Sequence, residues 1–175
     1  MRFLKILGII VSVIIAIVIG FTVFIRFSMY SGSRGGKKIR MAPMVSFRFN
    51  ASGGSYMNSG ETYEAALKDG TVTVRIRLDG VDDEDAEEFT TDETFLRKLD
   101  EIVERNNVKK WNGFSLSNKN VLDGHGFSLS IKMENGEYLS AHSYMAWPDN
   151  YSEFCGEVTA LFMELYDSAH ADGNS

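Results

Sequence analysis

The chain has 175 residues, a net formal charge of −6, 44% hydrophobic residues and one cysteine. That length suits one folded domain with its own core, and a lone Cys155 excludes an internal disulfide framework. All 24 acidic residues lie after position 60 and seven of the 18 basic ones before position 41, so the part from Met41 onward carries a formal charge of −13, which repels nucleic acid and anionic lipid headgroups.

Residues 6 to 25 form an unbroken apolar run opened by Arg2 and Lys5 and closed by Arg26. At about 1.5 Å per residue, a helix of this length matches the roughly 30 Å hydrocarbon core of a bilayer. Residues 1–27 are therefore expected to be an uncleaved transmembrane anchor whose partner is the lipid bilayer, making this a single-pass protein of the cell membrane. The run is longer than the apolar region of an export signal and leads into Arg26-Phe27-Ser28 with no small-residue cleavage site. Counting Lys and Arg at its two ends would leave the following domain in the cytoplasm. Long domains translocate largely regardless of that count, and a basic start before an apolar run resembles an export signal, so an extracytoplasmic domain is favoured.

Residues 28–43 contain Ser31-Gly32-Ser33-Arg34-Gly35-Gly36, the composition of a flexible tether, and Arg34, Lys37, Lys38 and Arg40 suit a membrane flank. The soluble domain is expected over residues 44–169, with residues 170–175 a disordered tail.

Val45 to Phe49 alternates in polarity and predicts a strand. Asp69-Gly70 is a hairpin turn signal between Thr62–Lys68 and Thr71–Leu78. A two-residue loop there pairs Leu67 with Val72, Ala65 with Val74 and Tyr63 with Ile76, and sets Glu64 opposite Arg75. The acidic stretch Asp79 to Glu88 lacks the ligand spacing of a calcium loop and reads as a solvated lead into a helix. Thr90 and Glu93 have capping-box spacing ahead of a stripe of Phe95, Leu99, Ile102 and Val103, and that helix should stop near Asn106-Asn107. Asn135-Gly136, read as a second two-residue turn, would pair Met133 with Tyr138, Ile131 with Ser140, Leu129 with His142 and Phe127 with Tyr144. Pro148-Asp149-Asn150 opens a last helix with Phe154, Val158, Leu161, Phe162 and Leu165 on one face. The order β-β-β-α-β-β-α behind the anchor predicts an α+β fold: an antiparallel sheet of about five strands with two helices packed on one face.

Asp123 and His125 share a glycine-flanked turn, and His142 and Asp149 lie further on, so a metal or acid/base cluster comes to mind. The predicted register sets His125 about 13 Å along the strand from the partner of His142, too far for one zinc with bonds of about 2 Å. Arg48, Arg75, Arg77 and Lys132 fall on the polar face, where carboxylates such as Glu64 supply partners. No serine elbow, phosphate loop or dinucleotide fingerprint occurs, and no cofactor or metal is indicated. Trp111, with Phe114 close behind it, and Trp147, with Asp149 and Tyr151 close behind it, stand just outside regular elements. Large aromatics there either plug the end of a core or form a recognition edge.

Trp111, Gly113 and Phe114, then Asp123, Gly124, Phe127, Ser128, Leu129 and Ile131, then Trp147 to Tyr151 before a last helix resemble a group of small uncharacterised proteins of Gram-positive bacteria, often lipoproteins or signal-anchored. The resemblance covers roughly Trp111 to Tyr166 and implies an outward-facing location and no activity; the absence of a lipid-bearing cysteine is a departure from it. Two functions follow as expectations. One is a membrane-tethered, non-catalytic binding or accessory domain that engages another membrane or envelope protein through Trp111, Phe114, Asp123, His125, Trp147, Asp149 and Tyr151. The other is a surface hydrolase or metal-dependent enzyme using Asp123, His125 and Asp149.

Overall fold

A computed structural model describes residues 11–21, 29–52, 60–121 and 123–172. It is an α+β fold with one eight-stranded mixed sheet. The strands are β1 (Tyr30–Ser31), β2 (Met44–Ser52), β3 (Glu61–Lys68), β4 (Thr71–Arg77), β5 (Glu87–Thr91), β6 (Ser117–Asn118), β7 (Gly126–Met133) and β8 (Tyr138–Tyr144). Across the sheet they run β1-β6-β8-β7-β2-β3-β4-β5. Helix α1 covers residues 11–21, α2 is Thr94–Arg105 and α3 is Tyr151–Asp172.

Two expectations are corrected. The sheet has eight strands rather than about five, and it is mixed rather than antiparallel, because β6 pairs with β8 in parallel. The added strands escape pattern reading for physical reasons. β1 and β6 have two residues each, too few to alternate, and β5 has Phe89 as its one apolar residue amid charged and hydroxyl residues, as suits an edge strand. The second correction concerns the anchor. Residues 11–21 extend roughly 16 Å, about half a bilayer core, and the rest of the expected span lies outside the described residues. Among the described residues no helix is long and apolar enough to cross a membrane. The expected single-pass, cell-membrane assignment is thereby not supported.

Polarity sorts the sheet into two faces. Phe47, Phe49, Tyr63, Ala65, Val72, Val74, Ile76, Leu129, Ile131 and Leu139 are buried on one. Both longer helices cover that face: Phe162 of α3 meets Phe47 at 6.0 Å, Tyr63 at 5.0 Å and Phe95 of α2 at 5.0 Å. Each such side chain removed from water contributes about 1.5–3 kcal/mol. The opposite face carries ladders of polar residues, among them Ser140, Ser130, Arg48, Glu64, Arg75 and Glu88 in consecutive register. Arg48 lies 3.0 Å from Glu64 and Arg75 3.2 Å from Asp83.

The β3–β4 hairpin has the register its sequence predicts. Asp69 (φ 52°) and Gly70 (φ 77°) both take positive φ, as a type I′ turn requires. The second hairpin is shifted by one residue: Leu129 faces Ala141, Ile131 faces Leu139 and Ser128 faces His142. Only Gly136 has positive φ there, and its N–H bonds the Met133 carbonyl while the Met133 N–H bonds that of Glu137. This is a three-residue loop with a glycine bulge. The shift puts Leu139 and Ala141 in the core and leaves His142 exposed.

Helix α2 stops where the paired asparagines stand. Asn106 folds its side-chain amide back onto the Ile102 carbonyl, and Asn107 turns left-handed at φ 55°. The capping box does not form, since Thr90 belongs to β5; Asp92 Oδ1 accepts the Thr94 N–H instead. Residues 30–37, read from composition as tether, pair with the domain. Tyr30 faces Asn118, Arg34 bridges to Phe114, and the N–H groups of Gly36 and Lys37 bond the carbonyls of Lys110 and Asn112. Helix α3 continues through His170, whose Nε2 sits 3.2 Å from Glu87.

Candidate functional site

The end of the fold where α2 finishes and α3 begins gathers the aromatic residues. The chain leaves α2 through Asn106-Asn107 into a short 3₁₀ turn, Val108–Trp111. The indole N–H of Trp111 donates to the Asp149 carbonyl at 3.1 Å, and Asn150 Nδ2 donates to the Asn106 carbonyl at 3.4 Å. These two bonds hold the segment before α3 against the turn after α2. Asn150 adopts φ 62°, and its carbonyl accepts the Phe154 N–H, the first bond of the helix.

The two tryptophans have separate roles. Trp111 is 3% exposed and packs edge-on against Phe154 at 5.0 Å and Phe127 at 6.0 Å, closing the end of the core. Phe114, stacked on Phe127 at 6.3 Å, belongs to the same plug. Trp147 is 43% exposed, yet it stacks on Tyr151 at 4.7 Å with an interplanar angle of 29°. Phe127 lies on the same stack at 6.1 Å. The indole is thus held by its neighbours while much of its surface stays open to solvent.

Trp147 forms the wall between two clefts. The larger, of about 540 Å³, is also lined by Trp111, Phe114, Asp149, Arg34 and Lys110, together with Asn106, Asn107 and Asn150. The smaller, of about 290 Å³, takes in Tyr151, His125, Gly126 and Asp79. Burial holds the Tyr151 phenol above the usual tyrosine range, with Cys155 adding to the shift. Burial also pushes the Cys155 thiol up, away from the reactive thiolate form.

Of the residues singled out in the sequence, Trp111, Phe114, Trp147, Asp149 and Tyr151 therefore meet at one place. His125 lines the other cleft from Asp149, and Asp123 lines neither. Among the described residues, no group of three His, Cys, Asp or Glu side chains is placed to hold a metal ion. Arg34 and Lys110 are the site residues that pattern reading passed over. Arg34 sat in an apparent tether, and only its pairing with Phe114 brings it to the cleft; the signal available was Lys109-Lys110 directly before Trp111.

Comparisons with protein families, with curated proteins and with solved structures find no match to this chain.

Proposed function

We propose that this chain is a non-catalytic binding or accessory domain whose protein partner docks at the Trp147 cleft. The observation that carries the reading is Trp147 itself, a large aromatic held rigid on Tyr151 while 43% exposed. Aromatic anchors of this kind dominate binding energy at interfaces because they offer much contact area and lose little conformational freedom. A cleft of about 540 Å³ falls within the usual range for sites that accept a side chain or small group, roughly 300–1,000 Å³. Binding is preferred to hydrolysis because His125 and Asp149 line separate clefts, whereas acid/base chemistry needs its groups within about 3 Å of one reacting centre.

The test is chemical crosslinking with the full chain and with Trp147→Ala, whose circular dichroism must match the parent. A protein captured by the parent and lost from the variant is the expected result. Equal capture by both chains, or capture by neither, would remove the reading.

A further inference from the structure

Arg48, Arg75, Arg77 and Arg105 each have a carboxylate within 4.0 Å. The basic residues at the large cleft differ: Arg34 and Lys110 line it, and Lys37, Lys38 and Lys109 are their neighbours in the chain. Arg34, Lys37, Lys38, Lys109 and Lys110 make no salt bridge with another described residue, and each is exposed. They are collected by backbone pairing: the segment from Ser33 to Lys37 lies along residues 110–115 through the bonds Gly36 N–H to Lys110 carbonyl at 2.7 Å, Lys37 N–H to Asn112 carbonyl at 3.0 Å and Ser115 N–H to Ser33 carbonyl at 2.8 Å. The approach is close, since a Cβ on Gly35 would stand 2.7 Å from the Lys110 carbonyl oxygen. A chain that carries −13 beyond Met41 thus displays a short basic strip without salt bridges, of which Arg34 and Lys110 line the same cleft as its exposed tryptophan.

We infer that the partner segment taken by the Trp147 cleft is an acidic peptide, with carboxylates on Arg34 and Lys110 and an apolar side chain on the free surface of the Trp147 ring. This rests on the binding reading above and adds the chemistry of the occupant. Charge complementarity is its basis. Arg34 forms planar, two-pronged bonds with a carboxylate, and exposed cations with no internal partner gain most from one supplied in trans. Asp149 within the cleft and Glu104 beside Lys109 limit the length of the strip. A short acidic segment needs only the cations of Arg34 and Lys110, whereas a long polyanion such as nucleic acid would run on into the surrounding carboxylates, within a screening length of about 8–10 Å.

The test uses phage-displayed random peptides selected on the full chain at low salt, followed by affinity measurement on synthetic copies of the enriched sequences. Peptides combining carboxylates with an aromatic or branched side chain are expected. Their Kd should rise about tenfold or more in the Arg34→Ala, Lys110→Ala double variant and also on raising salt from about 50 to about 500 mM. The melting temperature should be unmoved, because both side chains are exposed. Enriched peptides that need Trp147 but show no acidic bias and no sensitivity to the double variant would overturn this inference and leave the binding reading standing. No enrichment over Trp147→Ala would remove both. Tighter binding of a single-stranded oligonucleotide or of anionic vesicles than of any acidic peptide would likewise overturn it.

Discussion

Two residues of the same type, 36 positions apart in the chain, show how much burial decides. Trp111 has its ring in the core and its N–H bonded to Asp149; truncation to alanine removes both and should cost about 3–5 kcal/mol. Trp147 loses its stacking on Tyr151 and Phe127, about 0.5–1.5 kcal/mol per aromatic pair beyond the area covered, and with 43% of its surface already exposed it gives up less burial than Trp111. Urea unfolding of the two alanine variants checks the contrast, and equal losses would show that the exposed ring is part of the core. Asp100 offers a titration test. Burial raises its pKa, partly opposed by the hydrogen bond from the Met44 N–H. A carboxyl group raised on folding favours the native state below its unfolded pKa and loses that contribution as pH climbs through the folded value. Asp100→Asn keeps an acceptor for Met44 without the buried charge, so it should raise the melting temperature at neutral pH, with the gain fading toward acid. A gain that grows on acidification would contradict the sign.

At the scale of elements, two Gly-containing turns separate what sequence pattern reads well from what it reads badly. Asp69-Gly70 admits one short loop, and the apolar alternation on both of its strands agrees with that register. Asn135-Gly136 fits either a two-residue loop or the end of a three-residue one. The clue lay in β8: with the shorter loop its inward positions are Tyr138, Ser140, His142 and Tyr144, and with the longer one they include Leu139 and Ala141, which the core takes. The segment from Tyr30 to Lys37 was illegible for a different reason. Its glycines look like freedom, but Gly32, at φ 120°, is needed for closeness, since a Cβ there would stand 1.8 Å from the Ser115 carbonyl oxygen. Gly32→Ala should release β1 and the segment around Arg34 while leaving the main core folded. Faster tryptic cleavage at Arg34 with an unchanged main melting transition is the expected signature, and unchanged cleavage would show that this pairing does not hold the segment.

For the molecule as a whole, the sheet order places the acidic stretch Asp79 to Glu88 beside β4 and β5 at one edge, while the basic strip lies near β1, β6 and β8 at the other. Seven inter-strand steps of about 4.8 Å separate the edges by roughly 30 Å, so the two charge groups are screened from one another at physiological salt. Stability is also graded across the sheet. β2 and β7 are central and pair over most of their length, and β1 and β6 are two-residue strands. Hydrogen exchange at Phe47, Phe49, Leu129 and Ile131 should report global unfolding, and exchange near Ser117 should need only local opening. Protection at Ser117 equal to that at Leu129 would mean that the edge and the centre unfold together.

The sequence alone determined the inner and outer faces of β2, β3, β4 and β7, the stripes of α2 and α3, the stop at Asn106-Asn107 and the register of the first hairpin, because each follows from neighbours a few residues apart. Tertiary structure decided the pairing of β1, β5 and β6, the register of β8, and the meeting of Arg34, Lys110, Trp147 and Asp149 around one cleft. Strands of two residues carry no pattern of their own, and a cleft assembled from segments up to about a hundred residues apart exists only once the chain between them has packed.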